Sequence, residues 1–234
     1  MEKIQENDGK LIFKTEMNVT LANAIRRSVG EVQTLAIDEV DIYKNDSALY
    51  DEIVAHRLGL VPLKNQKMKE GQNIELKISV KGKESGEEVL SGEMGDLVVY
   101  DAIPITYLEK GQELEVVARA NVGTGKEHAK HMPGLVYYKI LNNIKVSKEG
   151  EKQSELAEIY PRTFEFDGKL KVKNGWADDL DQSDMADFEG ITITPTEEIV
   201  MIIETWKQMS CKDIFLDSIK ALDKQLNELS KSIK

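Results

Sequence analysis

The sequence predicts a mixed α+β protein, and three observations carry that reading. Ile74, Leu76, Ile78 and Val80 alternate strictly with charged or polar residues, the mark of a strand with one face buried and one in water. Ile199-Val-Met-Ile-Ile203 is a short continuous apolar run, mostly β-branched, that suits a strand buried on both faces. Ser210-Cys-Lys-Asp213 reads as a capping box, with the serine accepting the amide of the third helical residue and Asp213 reaching back. A long helix follows, in which Phe215, Ile219, Leu222, Leu226, Leu229 and Ile233 form a heptad seam. Each such side chain left in water forgoes about 1.5–3 kcal/mol of burial, so the seam needs a partner surface, in this chain or another.

The other elements follow in order. Residues 11–17 read as a strand, and Asn18 and Thr20 supply oxygens for capping the helix behind it. In that helix Leu21, Ala22, Ile25, Val29 and Val32 share one face, with Arg26 and Arg27 beside it and Gly30 as a stop. Leu35 to Tyr43 returns to strand. Ser47 is placed to cap a short helix from Asp51 to Leu58, which Gly59 closes before Pro62. Residues 81–95 read as Gly-, Lys- and Glu-rich linker, with strands expected near Leu97–Tyr100, Leu114–Ala120, Leu135–Ile140 and Ile144–Val146. Residues 147–154 hold no apolar side chain and mark a boundary where an insertion starts.

Composition narrows the class. The chain has 234 residues, 41% of them hydrophobic, which fills one large domain or two modest ones. A net charge of −11 repels phosphate backbones and anionic lipid, so direct nucleic-acid binding is not expected. No apolar run approaches the ~18 residues of a membrane span, and Met1 to Glu6 lacks an apolar signal segment, so a cytoplasmic protein is expected. Cys211 is the single cysteine, too few for a disulfide or a thiolate cluster.

Candidate chemistry is sparse. Gly123-Thr-Gly125-Lys126 resembles the end of a phosphate-cradling loop, but Glu127 follows where Ser or Thr is needed, and a Gly-rich bend is the favoured reading. His128 and His131 are three apart without a Cys or carboxylate to complete a metal set, which favours a solvated or interface loop. His56 reads as a packed or surface histidine, and no Ser-His-Asp or Cys-His arrangement can be drawn. Asp178, Asp179, Asp181, Asp184 and Asp187 fail the calcium-loop pattern for want of its glycine and closing glutamate, leaving a solvated acidic loop.

Three segments together resemble a known family: Asn23-Ala-Ile-Arg26-Arg27, Ala36-Ile-Asp-Glu-Val40 running to Tyr43, and Ala55-His-Arg-Leu-Gly-Leu-Val-Pro62. Gly123-Thr-Gly-Lys-Glu-His-Ala-Lys130, then Pro133, Tyr137-Tyr138 and Glu204-Thr-Trp206, fit the same pattern. The family is that of the D-type component of archaeal RNA polymerase, with the third-largest subunit of eukaryotic polymerase II and the amino-terminal domain of the bacterial alpha subunit as relatives.

The resemblance implies a non-catalytic assembly platform with a discontinuous dimerisation domain (residues 1–45 and 191–234), a β-rich insert domain (46–150) and a small degenerate ferredoxin-like insert (151–190). It implies two partner-facing helices that pair with subunit L, with Leu21, Ile25, Val29, Phe215, Ile219, Leu222, Leu226 and Leu229 as contacts. Some of these must instead face the chain's own sheet. Subunits N and P and the second-largest subunit are further implied partners, with Arg26, Arg27, His128 and Lys130 meeting a large subunit. Many archaeal members carry iron–sulfur clusters on cysteines of the insert. Here Tyr160-Pro161 stands where Cys-Pro is expected and the thiolates are absent, so a cluster-free remnant is expected. A ferredoxin-like redox or metal-binding protein is the alternative, against which the single cysteine counts. A nucleotide-binding enzyme resting on Gly123 to Lys126 is a third reading.

Overall fold

The structure is a computed structural model that describes residues 1–68 and 71–233. In chain order its elements are β1 (Glu2–Asn7), β2 (Lys10–Glu16), α1 (Val19–Ser28), β3 (Gln33–Asn45), α2 (Asp51–Gly59), β4 (Ile74–Lys81), β5 (Glu87–Leu90), β6 (Pro104–Leu108), β7 (Glu113–Thr124), β8 (Gly134–Val146), α3 (Glu155–Ile159), β9 (Phe164–Phe166), β10 (Leu170–Val172), β11 (Ile191–Thr205) and α4 (Cys211–Ser232). The chain packs as two compact units, Met1–Arg26 with Val136–Ile202, and Arg27–Leu135 with Ile203–Lys234. These cuts fall inside α1, β8 and β11, whereas the boundaries that the resemblance implies lie at 45, 150 and 190.

The first unit holds a four-stranded sheet in the order β1-β2-β11-β8. Ile12, Val200 and Ile202 are buried in it, covered by Ile4, Tyr137 and Leu141. Beyond β8, the insert folds α3 and the β9–β10 hairpin around Leu156, Phe164, Leu170, Leu180 and Met185, which pack with Ile191 and Ile193 of β11. Its two ends meet where the Ser147 amide donates to the Gly190 carbonyl at 2.8 Å. Gly190 has a φ of 81°, and a Cβ there would collide with the Gly150 amide and the Ser147 hydroxyl, so this closure needs glycine.

In the second unit a three-stranded antiparallel sheet runs β3-β7-β4, with Ile37 opposite Ala120 and Ile78 opposite Val116. Leu35, Ile37, Ile78, Leu114 and Val116 of that sheet share a core with Val54 and Leu58 of α2. The Arg57 guanidinium donates to the Ile105 carbonyl at 2.9 Å, tying α2 to β6. Leu76 and Ile78 are buried, as their alternation predicts, and Val200 to Ile203 are buried without a break.

Several expectations are corrected. Tyr50, not Ser47, stands at the N-cap of α2, with no side-chain cap, because the Ser47 hydroxyl donates to Asn45 at 2.6 Å. Leu97–Tyr100 forms no strand beyond one bridge between Leu63 and Val98: its apolar side chains report burial, not extended backbone. The linker at 81–95 contains β5, and β6 and β1 are further strands that periodicity does not predict. The two strands expected at 135–146 are one, β8. Among the described residues no helix is long and apolar enough to cross a membrane.

Candidate partner-binding surface

Helix α4 is 22 residues long, about 33 Å at helical rise. Its start is fixed by Ser210, whose hydroxyl accepts the Asp213 amide at 3.1 Å and donates to the Asp213 carboxylate at 2.6 Å. Asp213 thus returns to the serine hydroxyl, where a capping box would have it take the serine amide. The first two turns are rooted: Ile214, Phe215 and Ser218 are buried, and Cys211 donates its thiol to the Ile203 carbonyl at 3.5 Å.

Burial then stops while the apolar seam continues. Ile219 and Leu222 are half-buried, but Leu226 is 56% exposed, Leu229 58% and Ile233 77%. Of the other predicted contacts, Ile25 and Val29 are buried within the chain, as is Phe215, and Leu21 on α1 is 44% exposed. A helix anchored at one end that carries its apolar stripe into solvent at the other is built to be covered by something else. Sequence periodicity had no means of finding what steadies it: the Gln225 amide donates to Glu31 at 2.7 Å, and Glu31 also receives the Lys126 ammonium.

Arg26 and Arg27 are both exposed at the end of α1. The Arg26 guanidinium is held by the Asn23 side-chain oxygen at 3.0 and 3.1 Å, whereas the Arg27 guanidinium has no hydrogen-bond or ion-pair partner among the described residues. The predicted loop contacts behave differently from each other. His128 is exposed and its Nδ1 accepts the Lys130 amide at 3.1 Å. The Lys130 ammonium is turned inward onto Asp38 at 2.6 Å, with a side chain only 13% exposed. That bond first, and the Asn121 amide second, hold the Asp38 carboxyl below the ordinary carboxylate range.

The other candidate chemistry is consumed by the fold. His131 is buried, and its Nδ1–H donates to the Thr34 carbonyl at 2.7 Å, since that oxygen can only accept. Among the described residues no group of three or more His, Cys, Asp or Glu side chains is placed to hold a metal ion. The Thr124 amide, which a phosphate would need, is taken by the Glu127 carboxylate at 2.7 Å, and Lys126 is paired with Glu31. His56 is exposed on α2.

Most of the acidic side chains at 178–187 are engaged in local hydrogen bonds and ion pairs. Asp178 is bound by Arg162 and, at 2.8 Å, by the Thr163 hydroxyl; Asp181 caps Ser183, and Asp184 accepts the Asp181 amide. The single cysteine lies in α4, and the insert's interior is filled by Leu156, Phe164 and Leu170. These residues do not fit an iron–sulfur cluster.

A fold of two sheet-centred units that bares a rooted apolar helix is that of a dimerisation module. The chain belongs to the family of the RNA polymerase Rpb3/Rpb11 dimerisation domain, which matches residues 12–226. It is similar to proteins named DNA-directed RNA polymerase subunit Rpo3. The one from Thermococcus kodakarensis is 41% identical over 62% of this chain, and that from Pyrococcus horikoshii 38% identical over 67%. The matched segments span 61% and 65% of those two proteins' own lengths. With the Archaeoglobus fulgidus protein the match is 30% identical and covers 100% of this chain and 97% of the relative.

Proposed function

We propose that the chain is a non-catalytic assembly component of a DNA-directed RNA polymerase, holding other chains in place while nucleotidyl transfer occurs elsewhere in the complex. The observation that carries this reading is the seam of α4, rooted at Phe215 and bare at Leu226 and Leu229, in a member of a dimerisation family. The relatives' shared name supplies the complex. On this reading the bare seam and Leu21 pair with a smaller subunit of the L type, and Arg26, Arg27 and His128 meet a large subunit. Subunits N and P and the second-largest subunit bind the assembled pair in the cytoplasm. Lys130 acts through Asp38 in shaping its loop. The insert works without an iron–sulfur cluster, as a packed apolar support, because it has no thiolate and its interior is filled by apolar side chains. A ferredoxin-like redox role gains no support from those residues.

The test is the solution mass, by light scattering, of the chain alone and co-expressed with an archaeal subunit L. A one-to-one complex that is lost on changing Leu226 and Leu229 to Asp supports the proposal. A folded monomer that ignores subunit L overturns it.

A further inference from the structure

In the first unit, the middle of the sheet opens into a groove of about 410 Å3, within the size range of ligand pockets. It lies beside Pro195 and Thr196 of β11. Pro195 has no amide to give to the ladder, and the neighbouring Thr196 uses its side chain instead, donating to the Leu141 carbonyl of β8 at 2.8 Å and accepting the Glu198 amide at 3.2 Å. Ile199 forms a buried lining of the groove, and Val19 and Ile140 flank it with side chains 46% and 44% exposed.

The charges around this apolar slot are all of one sign. Glu16, Glu197 and Glu198 line it, and no Lys or Arg does. Glu16 and Glu197 have no ion-pair partner among the described residues. Glu198 has only Lys14, at 3.7 Å, and that lysine is closer to Glu2, at 3.2 Å. A rim with a net negative charge, two of its three carboxylates unpaired, over an aliphatic lining repels nucleic acid and acidic peptides alike, and selects its opposite.

We propose that this groove docks a peptide segment of another protein, in which an aliphatic side chain is flanked by lysine or arginine. The aliphatic group packs against Val19, Ile140 and Ile199, and the cations pair with Glu16 and Glu197. This surface is distinct from the seam of α4 and stands without the polymerase reading.

The probe is the peptide acetyl-Lys-Arg-Ile-Leu-Arg-Lys-amide, with acetyl-Glu-Asp-Ile-Leu-Asp-Glu-amide as control, titrated into the full chain carrying 13C-labelled Ile and Val methyl groups. Saturable shifts at Ile140, Ile199 and Val19 are expected with the basic peptide only. Replacing Glu16 and Glu197 by Gln weakens binding by about fivefold or more, and Ile140→Asp, with an otherwise unchanged methyl spectrum showing that the variant folds, removes the shifts at Ile199. The proposal is overturned if these methyls stay unmoved at millimolar peptide, if the acidic peptide moves them equally, or if the double Gln variant binds as well as the parent.

Discussion

The side-chain amide of Gln225 donates to the carboxylate of Glu31 at 2.7 Å, joining residues 194 positions apart. Glu31 sits in the turn after α1, is only 20% exposed in its side chain and also receives Lys126. It is the point at which the outward half of α4 touches the rest of its unit by a charged contact. Replacing Glu31 with Ala is expected to cost about 1 kcal/mol overall. Amide exchange should accelerate from residue 223 onward while β3 and β7 keep their protection. Uniform acceleration throughout α4 would show that the contact does not steady the helix locally.

The seam itself separates stability from pairing. Leu226→Asp with Leu229→Asp is expected to change the unfolding free energy of the free chain by no more than about 0.5 kcal/mol per site, since both side chains already face water. Ile214→Ala, at a fully buried position of the same helix, is expected to cost about 2–5 kcal/mol. Urea unfolding of the two variants measures the contrast. Equal costs would mean that the outer seam is covered in the free chain.

Asp38 gives a pH signature. Its folded-state pKa is depressed by Lys130, so its contribution is fully present above the unfolded carboxylate value of about 3.9 and is lost as pH falls through the lower folded value. The stability difference between the parent and Asp38→Asn should be constant above about pH 5 and shrink below it. A difference that grew on acidification would reverse the assignment.

Gly190→Ala places a side chain at a φ of 81° against Gly150 and Ser147. A loss of about 1–3 kcal/mol is expected, felt first in the insert, where Leu156, Phe164 and Leu170 pack. Limited proteolysis within residues 150–190 at unchanged cleavage elsewhere is the readout.

Protein purified without air is expected to contain neither iron nor acid-labile sulfide at stoichiometric levels, and Asp178→Asn should leave that result untouched. Stoichiometric metal bound in the parent and lost in the variant would give the acidic residues a role that their hydrogen bonds to Arg162 and Thr163 argue against.

What the sequence disclosed was local. The α4 seam and its Ser210 cap depend on residues a few positions apart, so periodicity and a single serine were enough. The alternation of Leu76 and Ile78 exposed β4 for the same reason. β1 was silent because Glu2–Asn7 is polar and mostly exposed, its strand character coming from backbone pairing with β2 alone. The fate of His131 depended on Thr34, 97 positions away, and that of Lys126 on Glu31; neither contact leaves a trace in spacing. Periodicity found the seam, yet only the rest of the fold decided that Phe215 lies under cover and Leu229 does not.

If α4 pairs as proposed, that division along it has a cellular consequence. An unpaired copy carries an aliphatic strip on a loosely held helix end, the kind of segment that chaperones grip and proteases cut. A paired copy hides it. Lifetime then depends on the supply of the matching chain, because binding to the folded state draws molecules away from every route that begins with the bare helix. On the proposed pairing, the same leucines would both fasten one chain to another and meter how many unmatched copies survive.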